Sequence, residues 1–127
     1  MISSVAPDIQ KSMALRKSAK ITLDRLNTTD KEAYPSNTLL DYYDAIHNLL
    51  EAISLRDGIK TRGEGAHQEL IDYVSKKHAL SEQTRQFLQQ MREYRNRISY
   101  EGFTIHRNYI ALNEEKIQEI IGALLRK

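Results

Sequence analysis

The segment from about residue 37 to 59 constrains the fold more than any other part of the chain. Leu39, Tyr43, Ile46, Leu50 and Ile53 recur at steps of four and three, and Tyr42, Ala45 and Leu49 widen the stripe they form. Apolar residues at this period describe one side of an α-helix. A stripe this wide covers too much of the helix surface for one neighbour, so the helix must be packed from at least two sides. The same period recurs elsewhere and strand-like alternation does not, so an all-α fold is predicted. Within 127 residues there is room for one domain and not two.

The remaining elements follow from local signals. A first helix is expected to begin between Ser4 and Pro7 and to run to about Leu26, with Ile9, Met13, Ala19, Leu23 and Leu26 as core candidates. The polar stretch from Asn27 to Asn37 reads as a linker, with Ser36 or Asn37 capping the second helix. Gly58, Gly63 and Gly65 break the chain, and a short helix follows from about Ala66 to His78, turning Leu70, Tyr73 and Val74 inward. Ser81 with Glu82 marks a new start, and Phe87, Met91, Tyr94 and Ile98 form a seam to a stop near Gly102. Asn113, followed by Glu114 and Glu115, reads as the cap of a last helix that buries Ile117, Ile120, Ile121 and Leu124. The expected architecture is an antiparallel up-and-down bundle of four main helices plus one short one, a single domain over residues 1–127.

Composition narrows the function classes. With no cysteine, the chain has no disulfide framework and no thiolate metal site. No segment approaches a membrane span and the first residues do not read as a signal peptide, so a soluble, cytoplasmic protein is expected. A net charge of +2 is far from that of an obligate nucleic-acid binder, although local basic clusters suit a phosphate-bearing partner. One cluster lies on the first helix, where Lys11, Arg16, Lys17, Lys20 and Arg25 face only Asp8 and Asp24. Such a face either tracks a phosphate backbone, with Lys17 and Lys20 as contacts, or is a solvated helix side. Asp44 to His47 and Glu64 to His67 imitate the Glu-x-x-His of di-iron bundles, but the second lies in a glycine-rich break and no inward carboxylates complete the set. Neither a metal nor a cofactor is expected. His67 is read as bonding a neighbouring helix end, with ligand contact as the lesser alternative. P-loop, dinucleotide and nucleophile-elbow motifs are absent.

The second basic cluster is the stretch Met91 to Phe103, "MREYRNRISYEGF". Arginines here either complement the negative end of a helix or build a site. Arg92, Arg95 and Arg97 offer planar, permanently charged phosphate contacts, with Asn96 beside them and Tyr94 and Tyr100 able to stack on a base.

The order of elements, with "RNRISY" closing the fourth helix, resembles the HEPN superfamily over residues 37 to 124 and, less directly, over the first helix. Members are small, commonly dimeric helical bundles found as toxins and as partners of minimal nucleotidyltransferases. Active members resemble metal-independent ribonucleases that pair an arginine with a histidine a few residues later. The resemblance implies Arg95 as the motif arginine, Asn96 as the polar residue after it, and Tyr100 in the histidine slot. A phenol, with an ordinary pKa of about 10, is a poor base at neutral pH, and His106 lies beyond the family's spacing. Other HEPN proteins read "RNxxxYxG", as this chain does, so nuclease activity does not follow from the motif. The resemblance therefore implies a homodimeric RNA- or nucleotide-binding module with a nucleotidyltransferase-type partner. The alternative it leaves is a weak ribonuclease using Arg95 with Tyr100 or His106.

Overall fold

The structure, a computed structural model covering residues 1–127, contains five helices: α1 (Ile9–Asn27), α2 (Pro35–Arg56), α3 (Ala66–Lys77), α4 (Glu82–Glu101) and α5 (Arg107–Leu125). Four are long and α3 is short, as the periodicity predicts. α2 is the hub: α1, α3, α4 and α5 all pack against it. Twelve of its 22 residues are buried, so the broad stripe serves several neighbours at once. Tyr42, Tyr43, Ile46, Leu49, Leu50 and Ile53 join Leu70, Ile71, Val74, Leu88, Met91, Ile117 and Leu124 in the main core. Each fully buried aliphatic side chain contributes about 1.5–3 kcal/mol, which makes α2 the element whose truncation the fold tolerates least. No helix is long and apolar enough to cross a membrane.

Four expectations need correction. In α1, Ile9 and Met13 are 52% and 65% exposed, and the inward row is Ser12, Ala19 and Leu26, spaced by seven. Small side chains win this face because α1 lies close on α2, where Ser12 Oγ donates to the Ala52 carbonyl at 2.7 Å. α2 begins at Pro35, whose missing N–H is harmless in a first turn. Ser36 is thereby freed, and its hydroxyl accepts the Ile105 amide at 3.1 Å. α5 starts at Arg107 and not after Asn113, because Ile110 extends the buried row of Ile117 and Leu124 back by seven; the Asn113 side chain instead donates to the Tyr109 carbonyl. Finally, two three-residue strands, β1 (Ile2–Ser4) and β2 (Ile59–Thr61), pair antiparallel in the register Ile2 to Thr61. Segments this short carry no readable alternation.

Two glycines fix the geometry that matters later. Gly58 has φ +79°, and a Cβ there would meet the Val5 carbonyl oxygen at 2.8 Å, so the α2-to-β2 turn accepts only glycine. Gly102 ends α4 in the left-handed region at φ +68°, as its position predicts.

Candidate functional site

The motif occupies the last three turns of α4. Residues three and four apart share a helix face, so Arg92, Arg95, Asn96 and Tyr100 line one cleft of about 340 Å³ together with Gly63 to Gln68. Arg97 is turned off that face, and its guanidinium lies 4.0 Å over the Phe103 ring. Lys17 and Lys20 belong to α1 and take no part in the cleft. The motif tyrosine Tyr94 also leaves the site: it stacks on Phe103 and meets Tyr109 edge-on in a second small core with Leu39, Ile105 and Ile110.

Arg95 is the centre of the cleft. It is half-buried, and its Nη1 donates to Asn96 Oδ1 at 3.3 Å and, at the long limit of 3.5 Å, to the Tyr100 hydroxyl. No carboxylate lies within ion-pair distance of it. Arg92 is held by Gln89, whose Oε1 accepts from Nε at 2.7 Å; its carboxylate contact, with Glu93, is loose at 3.9 Å. A half-buried guanidinium without an acidic partner, as at Arg95, keeps its donors available for an anion. Across the cleft, α3 starts after Gly65 (φ +78°) with no capping side chain, which leaves the first-turn amides of His67 and Gln68 unbonded. Unbonded amides at a helix start add to the positive field set up by the arginines.

Tyr100 and His106 part company. Tyr100 is 76% exposed at the cleft mouth. His106 caps α5, its Nδ1 accepting the Asn108 amide at 3.1 Å, and it does not line the cleft. Of the two groups proposed as partners for Arg95, only Tyr100 stands beside it.

Through His67 the cleft adjoins groups that the motif does not announce. His67 sits with its ring centroid 4.1 Å from that of His47, tilted by 32°, and Tyr43 is 6.3 Å from both. The expected bond from His67 to a helix end is not made. Burial lowers the His47 pKa to about 4, with the neighbouring His67 adding to the effect. Burial, then Arg95, lowers that of His67 as well. Burial raises the Tyr43 phenol to about 12, against the pull of Arg92 and Arg95. At neutral pH the imidazoles of His47 and His67 are therefore uncharged and the buried Tyr43 phenol is protonated, behind a cleft lined by Arg92, Arg95 and Glu64. Tyr43, His47 and Glu51, four apart on α2, were the available signal: a polar row running along the edge of the apolar stripe. No group of three or more His, Cys, Asp or Glu side chains converges to hold a metal ion.

The arrangement offers an anion a recess lined by guanidinium, amide and aromatic groups. No protein-family model matches the chain, nor does any curated protein or solved structure.

Proposed function

We propose that the chain is a HEPN-like RNA- or nucleotide-binding module that grips phosphate in the α3–α4 cleft and has no efficient catalysis. One observation carries this reading: Arg95, half-buried and without a carboxylate partner, lines one cleft with His67 and Gln68, whose first-turn amides are unbonded. In the free chain the Arg95 guanidinium has only the Asn96 and Tyr100 side-chain oxygens as acceptors. A phosphate group offers it stronger, charge-assisted hydrogen bonds.

The rest of the reading follows from the motif. Tyr100, exposed at the mouth, is free to stack on a base or on a second copy of itself. A homodimer that joins two α4 helices across a twofold axis would bring two copies of Arg95, Asn96 and Tyr100 into one binding surface. A nucleotidyltransferase-type protein is the partner we assign to this dimer, as the toxin-like or accessory half of a pair, in the cytoplasm. A weak ribonuclease is the second reading, and the approach of Arg95 Nη1 to the Tyr100 hydroxyl is the observation that favours it.

Light scattering of wild type and Arg95→Ala, with and without a short single-stranded RNA, tests the reading. A dimer that binds RNA only with Arg95 present supports it. A wild type that ignores RNA at low salt refutes the phosphate grip. Cleavage of the RNA by wild type would favour the second reading, and Tyr100→His should then raise the rate.

A further inference from the structure

The cleft is the outer half of a longer recess. A second cavity of about 220 Å³ opens between α2, β2 and the start of α3, and the two share Gly63, Ala66 and His67. Their linings differ in chemistry. The outer half presents Arg92 and Arg95 with Glu64, whereas the inner half presents His47, Glu51, Ser54 and Thr61, with Lys60 and Arg62, beside the apolar surface of Leu70.

The polar groups of the inner half have unused bonding capacity. Neither imidazole makes a hydrogen bond to the protein, although a neutral imidazole offers one donor and one acceptor. Glu51 uses Oε1 for Lys60 at 2.9 Å and Lys11 at 3.8 Å. Oε2 has nothing nearer than His47 Nε2 at 3.6 Å, which is too long for a hydrogen bond. Burial pushes the Glu51 carboxyl up, but the hydrogen bond and charge of Lys60, with His47 and Lys11, outweigh it and hold the group below its ordinary range. The inner half therefore contains a flat, uncharged ring surface beside an ionised carboxylate with one free oxygen.

We propose that the inner pocket takes one base of the bound RNA or nucleotide and prefers guanine, whose ring packs on the His67 imidazole while its N1–H and N2–H donate to Glu51, one to the free Oε2 and one to the lone pair that Oε1 keeps beside Lys60. This rests on the phosphate reading of Arg92 and Arg95 and adds the base to it. The preference follows from the chemistry of a carboxylate, which only accepts. Guanine offers two adjacent donors on one edge. Adenine and cytosine each place a lone pair beside their single amino group, and uracil has one donor flanked by two carbonyls, so each would set an acceptor against the Glu51 oxygens. His67 forms a wall of both cavities, which lets one nucleotide span them with its phosphate outside and its base within.

Fluorescence anisotropy of the full chain with labelled UUGUU, UUAUU, UUCUU and UUUUU is the test. Binding of UUGUU at least ten-fold tighter than the others is expected. Glu51→Gln should erase the difference between UUGUU and UUAUU. Because Glu51 also anchors Lys60, its variant is accompanied by a thermal melt and by His67→Ala, which should weaken UUGUU several-fold more than UUUUU. Equal, Arg95-dependent affinity for all four RNAs would overturn the base pocket and leave the phosphate grip standing. Tightest binding of an adenine or cytosine RNA would overturn the assignment to guanine. Failure of wild type to bind any of them would overturn both readings.

Discussion

Two basic surfaces of this molecule look alike in the sequence and differ in space. On α1, the charges are dispersed among separate tasks: Arg25 pairs with Asp41 at 2.8 Å, Arg16 reaches the Leu125 carbonyl at 3.4 Å, and Lys17 and Lys20 extend into solvent. On α4, Arg92 and Arg95 are half-buried, share a face and line one cleft with the first turn of another helix, where two amides are unbonded. The α1 cluster has more cations, yet it is the α4 cluster that lines the cleft. Charge density along a chain measures solvation, whereas convergence of two elements on one recess measures recognition. Each prediction below tests that difference.

Desolvation of the cleft should have the largest effect, and it is visible as a pH dependence of stability. The His47 pKa falls to about 4 in the folded chain from an ordinary 6.5, so between these values the unfolded state binds more protons than the folded one. Stability is then complete above pH 6.5 and is lost as the pH falls toward 4. The expected loss from His47 between pH 7 and pH 5 is about 2 kcal/mol, and His67, shifted in the same direction, adds to it. Glu51 and Asp57 are shifted down from 4.5 and 3.8, so their losses fall below pH 4.5 and leave this window to the histidines. Urea midpoints at pH 7, 6 and 5 should converge less steeply for His47→Gln than for wild type, and Lys17→Ala should leave the slope as it is. Identical slopes for wild type and His47→Gln would mean that the inner recess is wet.

Arg95→Ala comes next. Loss of a desolvated guanidinium contact should weaken RNA binding at least ten-fold, about 1.4 kcal/mol or more. It should also flatten the slope of log affinity against log salt by roughly one, as one phosphate contact disappears. The thermal midpoint should barely move, because the side chain has no ion-pair partner to strand. A variant that binds like wild type would remove the distinction between the two surfaces.

The parts of the fold that were legible and those that were not divide along a physical line. Repeated burial was legible: the stripe of α2, the Ser81 cap and the Gly102 stop are where the periodicity and the turn chemistry put them. The inward face of α1 was not, because Ser12 and Ala19 are buried for their small size and Ile9 and Met13 look more like core by composition. In the site, Arg92, Arg95, Asn96 and Tyr100 were legible as a motif, while Arg97 was grouped with them by proximity in sequence where helical phase separates it. His47 and His67 escaped because their meeting depends on how α3 docks on α2. Nineteen residues, with two glycine turns and a three-residue strand among them, lie between them, and no local pattern encodes that approach.

The start of α3 offers a smaller test. Gly65 precedes the helix at φ +78°, with open space around the missing Cβ, so Gly65→Ala meets no clash and suffers only the strain of the left-handed backbone. That strain is about 1 kcal/mol, a fall of roughly 3–6 °C in the thermal midpoint for a chain of this size. Any relaxation of the backbone moves the His67 and Gln68 amides, so RNA affinity should drop by more than the stability change alone explains. A variant that melts lower but binds unchanged would show that the arginines act without α3.

The smallest effect is expected where the sequence is most basic. Lys17 and Lys20 are exposed on a helix that packs on α2 and does not border the cleft, and at 0.15 M salt a charge acts over about 8 Å before it is screened. An RNA held at Arg95 should register the Lys17→Ala, Lys20→Ala double variant as less than a two-fold change, about 0.4 kcal/mol or below. At 10 mM salt, where screening extends to about 30 Å, the same variant should slow association modestly without changing dissociation, since remote charge steers encounter and does not hold the complex. A ten-fold loss at physiological salt would instead make α1 the binding surface. The half-buried arginines of α4 would then be left with their desolvation unexplained.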